Sequence, residues 1–208
     1  MTPVFQVRFH GRGGQGVVTA ADLLAFAAFD GGHYAQAFPN FGSERMGAPV
    51  VSYCRIDDRP IRNREPVIEP DALVIQDSTL LRQIDLFSGF KPDGFVVINT
   101  TRSLNDLGIS DFAAEHDSGR MVTVPATDVA VRHVGKPMPN AALLGGLAAL
   151  TGIVDPDAIE KAIHQRFPAA IATRNFAAAM EVFDLVSAVV SPKASNNAPT
   201  NGRDPVDA

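Results

Sequence analysis

A chain of 208 residues with 46% hydrophobic and 20% charged side chains has the composition of one globular domain able to bury its own core, which excludes a disordered, fibrous or collagen-like chain. The net charge of −5 argues against broad nucleic-acid binding, and the single cysteine, Cys54, excludes an internal disulfide, a four-cysteine iron–sulfur cluster and a cysteine-rich zinc site. No apolar run is long and uninterrupted enough to span a membrane, and Met1-Thr2-Pro3 opens no charged and apolar signal region, so a cytoplasmic location is expected.

Val4 to His10 reads as a strand, Gly11 to Gly16 as a loop, and Val17 to Phe29 as a helix that Gly31-Gly32 ends. Ala20, Ala21, Ala27 and Ala28 recur at helical spacing and let that helix lie close against a sheet. Phe38 to Gly47, with Pro39, two glycines and charges, is expected to be a loop; Val50 to Ile56 resumes a strand pattern and Asp57-Asp58 marks a turn. Further strands at Ala72 to Gln76, Phe95 to Asn99 and Met121 to Val124 are separated by stretches such as Thr79 to Phe87 that can be helical. This alternation predicts an α/β fold, Rossmann-like, with a mostly parallel sheet and flanking helices. From Asn140 the pattern turns helical: Ala141 to Leu150, then Pro156 to Phe167 capped by Asp155, then Thr173 to Val189. Residues 1–190 are therefore expected to form the domain, including a helical C-terminal part. Residues 191–208, almost without apolar side chains, are expected to be a disordered tail or one ordered only on a partner.

Gly11, Gly13 and Gly16 match G-x-G-x-x-G between a strand and a helix. In that context glycines let the backbone approach a phosphate, and the N–H groups opening the helix supply donors. Arg12 would add a charge-assisted hydrogen bond to the same anion. Residues 1–64 hold seven arginines against five acidic residues, a net of +2 that leaves −7 for the rest, in keeping with a local anion site. A dinucleotide site would also need an acidic residue about 20 positions on. His33-Tyr34-Ala35-Gln36-Ala37 offers none, and Gln15-Gly16 stands where a P-loop has Lys-Ser/Thr. An anionic ligand, a full dinucleotide and a tight structural turn all stay open on this pattern.

Other candidates each carry two readings. Arg45, Arg62 and Arg64 sit in or beside loops, as anion contacts or as solvated surface arginines. Phe38 and Phe41 could wall an active-site entrance or pack in the core. Cys54, in a strand, reads as a buried inert thiol, and His10, at the carboxyl end of the first strand, is the one histidine placed for a ligand. Pro139-Asn140 reads as a helix cap and Gly145-Gly146 as close helix packing.

Phe9 to Ala20 (FHGRGGQGVVTA) resembles the G-R-G-G-Q-G-x-V-T-A signature that opens the gamma subunit of the pyruvate:ferredoxin, or 2-oxoacid:acceptor, oxidoreductase family. Tyr34 to Phe41 (YAQAFPNF), Gly42 to Val50 (GSERMGAPV), Arg55 to Ile61 (RIDDRPI), Glu69 to Asp71 with Gln76-Asp77, and Met138 to Gly145 (MPNAALLG) resemble it in the same order. The resemblance implies a thiamine diphosphate-dependent, CoA-acylating complex in which a 2-oxoacid and CoA become acyl-CoA and CO2. Electrons would leave through 4Fe-4S clusters to ferredoxin or NAD. It also implies that this chain is not catalytic alone: thiamine diphosphate, Mg²⁺ and the clusters belong to alpha-, beta- and delta-type partner subunits, while the gamma-type chain binds CoA and closes the active site. On that resemblance Gly11, Arg12, Gly13, Gly14, Gln15, Gly16 and Arg45 are the residues expected at CoA, with no catalytic residue and no metal ligand in this chain. The family commonly reads E-R-R-G-A-P where this chain has Glu44-Arg45-Met46-Gly47-Ala48-Pro49, so the thioether of Met46 replaces a guanidinium that could pair with an anion. Pyruvate, branched-chain and aromatic 2-oxoacids, the final acceptor and the stoichiometry stay open. The rival readings are a stand-alone NAD(P)- or flavin-binding protein and a purely structural scaffold subunit.

Overall fold

Alternation of the side chains of β1 (Phe5–Arg12) sets the two faces of the sheet. Val7 and Phe9 enter one core, while Arg8 and His10 point to the opposite face. The computed structural model describes residues 4–40, 46–117 and 119–190. After β1 the chain forms α1 (Val17–Asp30), β2 (Tyr34–Pro39), β3 (Pro49–Asp57), β4 (Ala72–Ile75), a 3-10 turn over Ser78–Arg82, β5 (Phe95–Asn99), α2 (Leu104–Leu107), α3 (Ser110–Ala114), β6 (Met121–Val124), α4 (Ala126–Val134), α5 (Asn140–Thr151), α6 (Pro156–Arg166) and α7 (Ala169–Val190). The six strands lie in the order β2-β3-β1-β4-β5-β6. β1, β4, β5 and β6 pair in parallel, and β3 runs against both β1 and β2.

The result is a three-layer α/β fold with a mostly parallel sheet, as the sequence implies. α1 and α4 to α7 pack on one face against Val7, Phe9, Val74, Val97 and Val122. The other face buries Leu73, Ile75, Val96 and Ile98 under Leu80, Leu86 and Ala113. Over the antiparallel half that second face is polar. Arg8 donates to the carbonyls of Val67, Leu86 and Ser88, and Arg55 to those of Asn63, Glu65 and Pro66, so two guanidinium groups pin the connecting loops onto the sheet.

α5 is apolar all round and almost wholly buried, as a helix in the middle of a layer must be. Its contact with α7 is a backbone contact: a Cβ on Gly145 would lie 1.9 Å from the carbonyl oxygen of Ala179. Asp155 caps α6, accepting from the Ala158 N–H at 2.7 Å, with Pro156 in the first turn.

Several expectations need correction. β2 extends through Phe38 to Pro39, because both pair with β3, so the expected loop starts later. Thr79 to Phe87 yields only the 3-10 turn, nucleated by Asp77 accepting from Thr79 N–H. Asn140 is not a cap: it opens α5 after Pro139, and its Oδ1 accepts from the next N–H, that of Ala141. β2, α2, α3 and α4 have no counterpart among the expected elements. The expected tail over 191–208 lies outside the described residues.

Candidate functional site

The glycine loop leaves β1 at Arg12 and enters α1 through Gly16, whose φ of 73° is left-handed and strained for any residue with a Cβ. A Cβ there would also come within 2.8 Å of Asn140 Nδ2 and 3.2 Å of Met138 Cε. Gly16 thereby seats the start of α1 against the start of α5. In α1 the first i→i−4 bond runs from Ala20 N–H to Gly16 C=O, so the preceding N–H groups have no intrahelical acceptor. Two positive helix ends converge on one loop.

Three further segments brace it. Gln15 accepts the Arg12 N–H at 2.8 Å and donates to Asp77 Oδ2 at 2.9 Å. Arg12 Nε donates to the same Oδ2 at 3.0 Å, Nη1 to the Gly47 carbonyl at 3.1 Å, and Nη2 to Thr79 Oγ1 at 2.7 Å and Gln83 Oε1 at 3.0 Å. Gly13 N–H donates to the Ala48 carbonyl at 2.9 Å, and Gly47 N–H returns to the Gly13 carbonyl at 3.1 Å. Burial pushes the Asp77 carboxyl up, but hydrogen bonds from Thr79 and Gln15 and the charge of Arg12 outweigh it and hold the group below the ordinary carboxylate range.

Between the loop and α1 opens a cavity of about 440 Å³, walled by the backbone of Gly13, Gly14 and Gly16 and by Arg12, Val17, Val18, Met46, Val50 and Met138. Its walls combine backbone polar groups with apolar side chains, the usual make-up of a small-molecule site. Met46 is 87% exposed, so the position where the family has its second arginine stands at the rim.

Of the other sequence candidates, Arg45 and Phe41 lie outside the described residues. Arg62 and Arg64 sit in the loop held by Arg55 at the end of β3 away from the glycines. Phe38 packs on Tyr53, with ring centroids 5.2 Å apart, and lies under the Arg55 guanidinium. Burial, with the Asp22 charge adding to it, raises the pKa of the fully buried Cys54 thiol, which keeps it protonated. His10 is 4% exposed on the face away from α1, and both ring nitrogens lack partners among the described residues. Burial, then the charge of Arg8, lowers its pKa to about 3, so the imidazole is neutral.

Thr79, Gln83, Asn140 and Met138 reach the loop from 60 or more positions away in the chain. No local pattern around Gly11 to Gly16 could have named them. Gln76-Asp77 and Met138 connect to this loop in the sequence solely through the family resemblance.

The family described as Pyruvate ferredoxin/flavodoxin oxidoreductase matches residues 6–185. The pyruvate/ketoisovalerate oxidoreductases common subunit gamma of Thermococcus kodakarensis is 43% identical over 181 residues, covering 87% of this chain and 96% of that subunit. The crystal structure of pyruvate oxidoreductase subunit PORC from Thermotoga maritima aligns with a TM-score of 0.73 at 34% identity, over 88% of this chain and 97% of that one. A 2-oxoglutarate:ferredoxin oxidoreductase from Magnetococcus marinus, solved with 2-oxoglutarate, coenzyme A and succinyl-CoA bound, shares the fold at a TM-score of 0.62 and 17% identity, over 96% of this chain and 33% of that one. Gln76-Asp77, Gly47-Ala48 and Met138 to Asn140, from three of the segments that carry the sequence resemblance, meet at the glycine loop, and the likeness runs through nearly the whole length of the gamma subunits: the chain belongs to the pyruvate ferredoxin/flavodoxin oxidoreductase family, as a gamma-type subunit of a 2-oxoacid oxidoreductase.

Proposed function

We propose that this gamma-type chain holds coenzyme A at the glycine loop and closes over a thiamine diphosphate-dependent site built by alpha-, beta- and delta-type subunits in the cytoplasm. There a 2-oxoacid and CoA become acyl-CoA and CO2, and the electrons leave through 4Fe-4S clusters of the partners. One observation carries this reading: the 440 Å³ cavity lies where the N-termini of α1 and α5 and the backbone of Gly13 and Gly14 meet. CoA offers phosphates to helix N–H groups and a long, weakly polar arm to Val17, Val18 and Met138. Gly11 and Gln15 shape the loop, and Gly16 sets the angle at which α1 leaves it. Arg12 has four of its five N–H donors engaged in the contacts to Asp77, Gly47, Thr79 and Gln83, which leaves one for a phosphate oxygen at the cavity wall. Arg45, next to Met46 in sequence, is assigned to the same anion.

A stand-alone dinucleotide protein fits less well. The strand after α1 is β2, which lies two places from β1 with antiparallel β3 between them, and its residues Tyr34–Pro39 include no carboxylate for a ribose.

Val18→Asp tests the proposal, because an acidic side chain suits the first turn of a helix yet repels an anion in the cavity that Val18 lines. In the assembled complex, the KM for CoA is expected to rise by about tenfold or more, with CoA-independent decarboxylation unchanged. An unaltered CoA KM in an intact complex would refute it.

A further inference from the structure

Beyond the Arg12 side chain lies a second cavity, of about 240 Å³, following the carboxyl ends of β4 and β5. Thr79 and Gln83, which receive Arg12 Nη2, line this cavity, while Arg12 itself lines the first, so one guanidinium separates the two. Arg82 and Arg102 supply its charge, Ser78 a hydroxyl, and Leu81 and Leu107 its apolar part.

The charge in this cavity is only partly offset, since the Asp106 carboxylate feels the Arg102 guanidinium, whereas no carboxylate pairs with Arg82 among the described residues. Asp77 is occupied by Arg12, Gln15 and Thr79. Asp106 directs its carboxylate to the N–H and hydroxyl of Ser103, in the capping box of α2. Arg102 donates through Nη2 to the main-chain carbonyl of Asp106, which orients its guanidinium and leaves its other N–H groups for a ligand, and Arg82 forms no ion pair with the described residues. Two exposed guanidinium groups and a hydroxyl around a cavity of this size suit a compact dianion, since planar guanidinium donors match the spacing of phosphate oxygens. The location also fits, because ligands of α/β sheets collect outside the carboxyl ends of the strands.

We propose that Arg82, Arg102 and Ser78 form a phosphomonoester pocket. Resting on the CoA reading above, its ligand is the 3′-phosphate of coenzyme A, whose diphosphate lies across the Arg12 wall on the glycine loop. The pocket would thus be what distinguishes CoA from its dephosphorylated form.

The test compares CoA with 3′-dephospho-CoA in the assembled complex. Wild type is expected to show a KM for CoA lower by about tenfold or more, given two charge-assisted contacts. Arg82→Gln/Arg102→Gln is expected to erase that difference while leaving the dephospho-CoA KM and the CoA-independent decarboxylation unchanged. Both arginines are exposed, so the variant should melt where wild type does. A variant that still discriminates the two compounds, or that loses both equally, overturns the proposal. Should Val18→Asp leave CoA binding untouched, the CoA reading fails by itself, and inorganic phosphate is then titrated into the full chain. Saturable shifts of the Arg82 and Arg102 side-chain resonances, absent in the variant, would sustain the pocket with free phosphate as its ligand. Their absence in wild type would overturn it.

Discussion

Arg12 is the residue at which sequence and structure differ most in emphasis. The glycine loop alone presents it as a free cation for an anion, yet most of its donors are turned inward to Asp77, Gly47, Thr79 and Gln83. Arg12→Ala should therefore loosen the loop as well as weaken CoA. After allowance for partial exposure of the pair, a loss of about 1–2 kcal/mol in urea unfolding is expected. Because the Asp77 carboxyl titrates below its ordinary value, its contribution is complete above about pH 4 and fades as pH falls through the lowered folded-state value. Asp77→Asn should flatten the acid limb of a stability–pH curve in that range. His10 works in a higher window. An unfolded chain protonates it near 6.5, whereas the folded chain resists until about 3, so stability falls as pH drops between those values. Melting temperatures measured from pH 7.5 to 4 should drop less steeply in His10→Leu, and an identical slope would mean that His10 protonates without cost in the fold. A histidine near the carboxyl end of the first strand is plain in the sequence, though β1 continues two residues past it to Arg12, but its two unpartnered nitrogens depend on neighbours from other strands.

Among the elements, strands were the most legible. β5 and β6 fall where their short β-branched runs lie, and β1, β3 and β4 differ from the sequence pattern by one or two residues. Short parallel strands buried on both faces leave a continuous apolar signature. α4 has no such signal, for it spans only Ala126–Val134 and follows Pro125 without a side-chain cap. The Gly145-Gly146 pair was readable as close packing, and α7 is the partner it needed. Gly145→Ala should force α5 and α7 apart, because Ala179 offers backbone and not a flexible side chain. A loss of about 1–3 kcal/mol is expected from thermal or urea unfolding, with Gly145→Val worse. An unchanged melting temperature would mean that α7 shifts freely.

At the scale of the whole molecule, the chain is one subunit of a larger complex, and several large apolar residues stand at its surface. Phe29 is 70% exposed, Ile68 74% and Val189 65%. A gamma-type subunit docks among others, and any surface bound only in the native state adds its binding free energy to stability. Full-length chain melted alone should therefore unfold several degrees below the same chain in the complex, and equal melting temperatures would refute this. The sequence by itself determined the α/β class, the strand–glycine loop–helix unit, the succession of C-terminal helices and the family, since each is written in periodicity, glycine placement or contiguous motif. Only the tertiary structure decided that β3 runs antiparallel between β1 and β2, that Asp77 and Gly47 occupy the arginine of the loop, and that α5 starts beside α1. The physical reason is separation along the chain. Local propensity and pattern act over a few residues, whereas these features join segments far apart in the chain, Arg12 with Gly47 and Asp77 and Gly16 with Asn140, brought together only when both faces of the sheet are covered.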